Sequence, residues 1–107
     1  MATIDDLRKS FRALTSERQW ESMQDPKSLL LALVGRVGAV TSLFQWVPAD
    51  GAIEQGSTSP LRESTANELA DVLVYLVAFA DKLGIDVVAE AVAKVEAARP
   101  GAADGGA

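Results

Sequence analysis

The chain has 107 residues, 49% hydrophobic and 23% charged, with a net charge of −5, which is the length of one domain and too short to bury its surface generously as a monomer. The acidic balance and the absence of any Lys/Arg cluster exclude a polyanion-binding patch, because affinity for nucleic acid rests on neutralising many phosphates. With neither cysteine nor histidine present, disulfides, thiolate nucleophiles and the usual zinc chemistry are excluded, and any metal must be a hard ion held by carboxylates.

The first segment, MATIDDLRKSF, is polar and lacks the apolar core of a signal peptide. Thr3 with Asp5 and Asp6 reads as an N-cap followed by an acidic first turn, and Ile4, Leu7, Phe11 and Leu14 repeat at helical spacing, predicting a first helix that ends near Arg18. Asp25-Pro26 opens a second helix to about Gln45, with Leu29, Leu30, Leu33, Val37, Val40 and Phe44 as its buried stripe. Gly35 and Gly38 inside that helix cost about 1 kcal/mol each relative to Ala and point to close helix packing. Residues 47–59, VPADGAIEQGSTS, show no period and predict a flexible loop, long enough to act as a lid.

Ser59-Pro60 repeats the cap-plus-proline signature and starts a third helix that runs to Leu83, where Gly84 supplies a left-handed stop. Asp86 caps a fourth helix ending near Arg99. Residues 1–99 therefore form one all-α domain, a four-helix antiparallel bundle, and the Gly/Ala-rich tail over 100–107 is expected to be disordered. The run Val72–Ala80 is apolar on nearly all sides, so the third helix is expected to be buried all round, which in so small a chain calls for a dimer or a dimer of dimers. That run, nine residues long, falls well short of the roughly 20 that span a bilayer. The chain is thus expected to be cytoplasmic, with no membrane or nucleic-acid partner.

Glu68 and Asp71, three residues apart, place two carboxylates on one face of the third helix, with Tyr75 one turn on. A solvated helix face and half of a metal site both fit that pair. The surrounding sequence, Arg18-x-Trp20, Pro26, Leu29 to Gly35, Leu43-Phe44-Gln45-Trp46 and Glu68-Leu69-Ala70-Asp71-Val72-Leu73-Val74-Tyr75, resembles the MazG-like all-α nucleoside-triphosphate pyrophosphohydrolases, in particular their dCTP pyrophosphatase branch, over about residues 4–99.

The resemblance implies a four-helix subunit in homodimers or homotetramers. It also implies hydrolysis of a nucleoside triphosphate, with a pyrimidine dNTP favoured, to monophosphate and pyrophosphate, through Mg²⁺ ions held by an ExxE on one helix and an ExxD on another. Aligned through Gly35, Gly38 and Phe44-Gln45-Trp46, the chain has Arg36 and Ala39 at the first two acidic positions and Ser42 at a third. The metal set is reduced to Glu68 and Asp71. Arg36 is expected to pair with both in place of the missing cation, so Mg²⁺ is the cofactor of an active site and no cofactor that of an inactive one.

The same resemblance assigns Trp20, Trp46, Tyr75 and Lys94 to nucleotide binding. The tryptophans would stack on the base and Lys94 would face phosphate, with Arg99 a basic residue nearby; Phe11 stands where the related branch has a base-recognising histidine. Core or interface tryptophans, and a lysine placed for the helix dipole, fit these residues as well. Three functions remain open: a homologue that has lost its metal-dependent hydrolysis, an active enzyme whose ligands come from Glu63, the loop acids or a partner subunit, and a non-catalytic assembly module.

Overall fold

The computed structural model describes residues 1–101, all helices and turns with no β-strand among the described residues. Five helices follow in order: α1 (Ile4–Glu17), α2 (Pro26–Phe44), α3 (Ala52–Gly56), α4 (Leu61–Lys82) and α5 (Val87–Ala97), with 3₁₀ turns at Glu21–Met23 and Ala49–Gly51. The disordered tail expected over 100–107 lies, from residue 102 onward, outside the described residues.

Local chemistry explains the helix starts. Thr3 and Asp6 form a reciprocal capping box, each side chain accepting the other's backbone N–H at 3.1 and 2.9 Å. Asp25 accepts the Ser28 N–H at 2.9 Å, with Pro26 in the first turn, and Asp86 accepts the Ala89 N–H at 3.0 Å. Pro60 lies one residue outside α4, and Ser59, joined to it by a cis peptide, donates its hydroxyl to Glu63 at 2.7 Å.

Two helix ends share one geometry. After α4, Gly84 takes φ +68, the Ile85 N–H reaches the Ala80 carbonyl at 2.9 Å and the Gly84 N–H that of Asp81 at 3.2 Å. After α1 the Trp20 N–H reaches Thr15 at 2.8 Å and the Gln19 N–H reaches Ser16 at 3.2 Å, but the left-handed position is held by Gln19, at φ 56. Both are Schellman caps, and the second places Trp20.

The segment 47–59 is not a structureless loop. Ala52-Ile53-Glu54-Gln55 are adequate helix formers between two glycines. A Cβ on Gly56 would stand 3.1 Å from the Phe44 ring, so the ring of α2 closes directly over that backbone. The resulting α3 packs against α4.

A closed four-helix bundle does not form within one chain. α2 lies along α4 and α1 against α4, whereas α5 makes only sparse contact with the rest. The radius of gyration is 16.9 Å, against about 13 Å for a compact chain of this length. The accessible surface is 7915 Å², against about 5,700 Å² for a folded monomer of this mass.

The buried core comprises Leu29, Val77, Ala78, Ala80 and Thr15. Two members of the expected α2 stripe, Leu30 and Val37, are exposed, and so are Leu31 and Val34 on the same helix and Val88, Val92 and Val95 on α5. The apolar run of α4 is likewise only partly covered, with Leu73 at 43% exposure. Nor do Gly35 and Gly38 serve close packing inside the chain, since a Cβ on either would meet nothing within 4 Å. These departures have one cause: three packed helices cannot surround a fourth, so a helix apolar on every side keeps exposed faces in a single subunit. By length and composition α2, with mean hydropathy 1.5, is apolar enough to cross a membrane; here it lies along α4, with Arg36 in its second half.

Candidate functional site

Packing of α2 along α4 sets Arg36 across from the two carboxylates. Its Nη1 lies 3.6 Å from Asp71 Oδ2 and 3.9 Å from Glu68 Oε2. These are ion pairs rather than hydrogen bonds. Arg36 and Asp71 are nearly half exposed while Glu68 is three-quarters covered, so the arrangement contributes at most about 1 kcal/mol to stability. Its consequence is for charge: one guanidinium is shared by two carboxylates. Glu68 Oε2 is buried and accepts no hydrogen bond, which leaves a carboxylate oxygen needing a cation or a donor.

Asp71 also borders a cavity of about 360 Å³ between α1 and α4, lined by Leu7, Ser10, Phe11, Leu14, Trp20, Val74 and Tyr75. The helical period explains this wall: Leu7, Phe11 and Leu14 share one face of α1, and Asp71, Val74 and Tyr75 one face of α4. Trp20 is delivered by the cap that ends α1, and the Arg18 guanidinium stands 5.5 Å from its ring centroid, within cation–π range. The cavity is apolar and aromatic with a carboxylate and a hydroxyl at its edge, a lining suited to a planar ring that offers N–H donors.

Helix α1 is tied to α4 by charge as well. Asp81 accepts both the Nε of Arg12, at 2.9 Å, and its Nη2, and the Nε of Arg8 lies 3.7 Å away. The hydrogen bond from Arg12 holds the Asp81 carboxyl below the usual carboxylate range, with the charges of Arg12 and Arg8 adding to it against partial burial. Sequence reading missed this tie, although Arg8 and Arg12 at i, i+4 was a visible signal.

Other expected site residues are not gathered here. Trp46 follows α2 at 87% exposure and is absent from the cavity lining. Lys94 is on α5 and is not among the residues lining the α1–α4 cavity, and Arg99 is bound to Glu96 at 2.9 Å. Glu63 is engaged by Ser59, whose hydrogen bond holds its carboxyl below the ordinary range. A larger opening, about 450 Å³, lies beside α3 between Gly51 and Leu61. Glu54, one of the loop acids, lines it, but none of Glu68, Asp71, Trp20 and Tyr75 does, so the smaller aromatic cavity is the better candidate.

The residues present do not fit a Mg²⁺ cluster. No group of three or more potential ligands occurs among the described residues, and Glu68 and Asp71 already share the Arg36 cation. A divalent ion there would meet a guanidinium at close range.

No protein-family model matches the chain. Its sequence is similar to dCTP pyrophosphatase 1 of Homo sapiens, 38% identical over 94 residues, which are 88% of this chain and 55% of the human protein. It is likewise similar to dCTP pyrophosphatase 1 of Bos taurus, 37% identical over 97 residues, 91% of this chain and 57% of the bovine protein. The chain thus spans little more than half the length of these relatives. Its fold is similar to the crystal structure of a pyrophosphatase from Archaeoglobus fulgidus DSM 4304, with a TM-score of 0.79 and 25% identity, covering 90% of this chain and 88% of that one. Over nearly its whole described length, the chain is thus similar in sequence to the dCTP pyrophosphatases and in fold to a solved pyrophosphatase, the likeness expected of a MazG-like all-α protein.

Proposed function

We propose that this chain is a nucleotide pyrophosphohydrolase homologue whose metal-dependent hydrolysis is lost or strongly reduced, and which uses its aromatic cavity to bind a nucleotide-type ligand with a pyrimidine base. The observation that carries this reading is the placement of Arg36 between Glu68 and Asp71. Where the family's chemistry calls for carboxylates that gather cations around a triphosphate, this chain supplies one fixed positive charge and lacks the opposing acids, with Arg36, Ala39 and Ser42 in their places. Trp20 and Tyr75 orient a ring, and Asp71 accepts a hydrogen bond from its edge.

The experiment is pyrophosphate release from dCTP and a panel of other dNTPs with Mg²⁺ or Mn²⁺, comparing the natural chain with Arg36→Glu/Ala39→Glu/Ser42→Glu. Release only by the triple variant supports a silenced site on an intact scaffold. Robust release by the natural chain overturns the reading in favour of an active enzyme that draws ligands from elsewhere.

The excess surface favours a second component of the proposal: the protein works as a homodimer or homotetramer in the cytoplasm, its exposed α2 and α5 faces buried between subunits. If no nucleotide or nucleoside binds in any condition, this assembly role is what remains.

A further inference from the structure

We propose that the Trp20–Tyr75 cavity takes a phosphate-free pyrimidine nucleoside whose base offers an N–H donor, that it does so without a divalent cation, and that each added phosphate weakens binding. The inference deepens the reading above and rests on it.

Phosphate recognition needs cations free to leave water for the ligand. Arg36 lies between Glu68 and Asp71, and Arg8 and Arg12 converge on Asp81. Lys94 is on a helix in sparse contact with the rest of the chain. The described lining of the cavity contains no Lys or Arg; Arg18 stands at the aromatic wall, over the Trp20 ring, and a single guanidinium does not offset the several charges of a triphosphate placed beside Asp71. Two carboxylates against one arginine leave the Glu68, Asp71 and Arg36 group net negative, so an added phosphate is repelled. A neutral ring avoids that cost: it stacks on Trp20 and Tyr75, excludes water from Leu7 and Val74, and donates an N–H to Asp71 or Ser10. Deoxycytidine has this chemistry.

Calorimetric titration of the full chain with deoxycytidine, dCMP and dCTP, each in EDTA and in excess Mg²⁺, tests the proposal. Deoxycytidine is expected to bind equally well in both conditions, with dCMP weaker and dCTP at least about tenfold weaker in EDTA. In Arg36→Glu/Ala39→Glu/Ser42→Glu the order should reverse in Mg²⁺. The indole N–H resonance of Trp20, told from that of exposed Trp46 by Trp46→Phe, should shift on adding deoxycytidine to the natural chain, a readout that requires no change in the cavity. Affinity that rises from deoxycytidine to dCTP, binding that requires Mg²⁺, or no binding of deoxycytidine overturns the inference. Hydrolysis of dCTP by the natural chain instead overturns the functional reading beneath it, so the two failures are distinct.

Discussion

Asp81→Asn removes one charge from the contact that holds α1, and with it half of the aromatic cavity, against α4. The carboxylate accepts a two-pronged hydrogen bond from Arg12 and faces Arg8. Asparagine keeps the shape, cannot serve both guanidinium prongs as an acceptor, and leaves two arginines without their shared anion. Because the Arg12 side chain is 63% exposed and that of Asp81 21%, solvent screening limits the loss to about 1 kcal/mol. For a domain of this size that lowers the melting temperature by roughly 4–8 °C.

The effect carries a pH signature. Arg12 lowers the folded-state pKa of Asp81, so its stabilisation is complete above the unfolded carboxyl value, about 3.9, and is lost as pH falls through the lower folded value. Thermal melts of the natural chain and Asp81→Asn, followed by circular dichroism at low salt, should differ by a constant amount from pH 7 to about 4.5 and converge below about pH 4. Equal melting temperatures at pH 7, or a difference that persists unchanged to pH 3, would refute the reasoning.

The two helix caps should respond in opposite directions. Gln19→Gly relieves a left-handed residue that carries a Cβ and should stabilise by about 1 kcal/mol, whereas Gly84→Ala, which meets no neighbouring atom, should destabilise by about the same amount through backbone strain alone; urea unfolding reads both. Val34→Glu places a charge on an α2 face that is 63% exposed in one subunit. If that face is an interface, light scattering should show the natural oligomer falling to a smaller species with unchanged helicity, and a monomeric natural chain would count against the assembly.

Much of the fold was legible because helix ends are written in short-range chemistry. Thr3, Asp25, Asp86 and Gly84 act within a turn of themselves, and each does in the structure what its residue type implies. The exit of α1 was harder to read because Gln19 occupies a position that glycine usually marks. The short α3 was hidden because four residues between glycines carry too little periodicity to stand out. Tertiary burial was misjudged for a different reason. Apolar stripes on α2 and α4 state that faces will be covered, not by which chain, so Leu30 and Val37 remain open in one subunit. Spacing and family likeness singled out Arg36, Glu68, Asp71, Trp20 and Tyr75; packing sets Arg36 beside the two carboxylates, and Asp71, Trp20 and Tyr75 around one cavity. Trp46 and Lys94 sit on elements that a single chain does not fold back onto the site, so no local pattern could place them.

The Arg36 guanidinium, 3.6 Å from Asp71 and 3.9 Å from Glu68, is proposed to stand where a divalent cation would otherwise be gathered. The most direct measurement is a titration of Mn²⁺ into the natural chain, followed by the electron paramagnetic resonance signal of the free ion, with and without dCTP. The protein should leave the free-ion signal at its protein-free level, and any loss of signal with dCTP should match that of dCTP alone. Stoichiometric loss of the signal by the protein itself, abolished in Glu68→Gln, would contradict it.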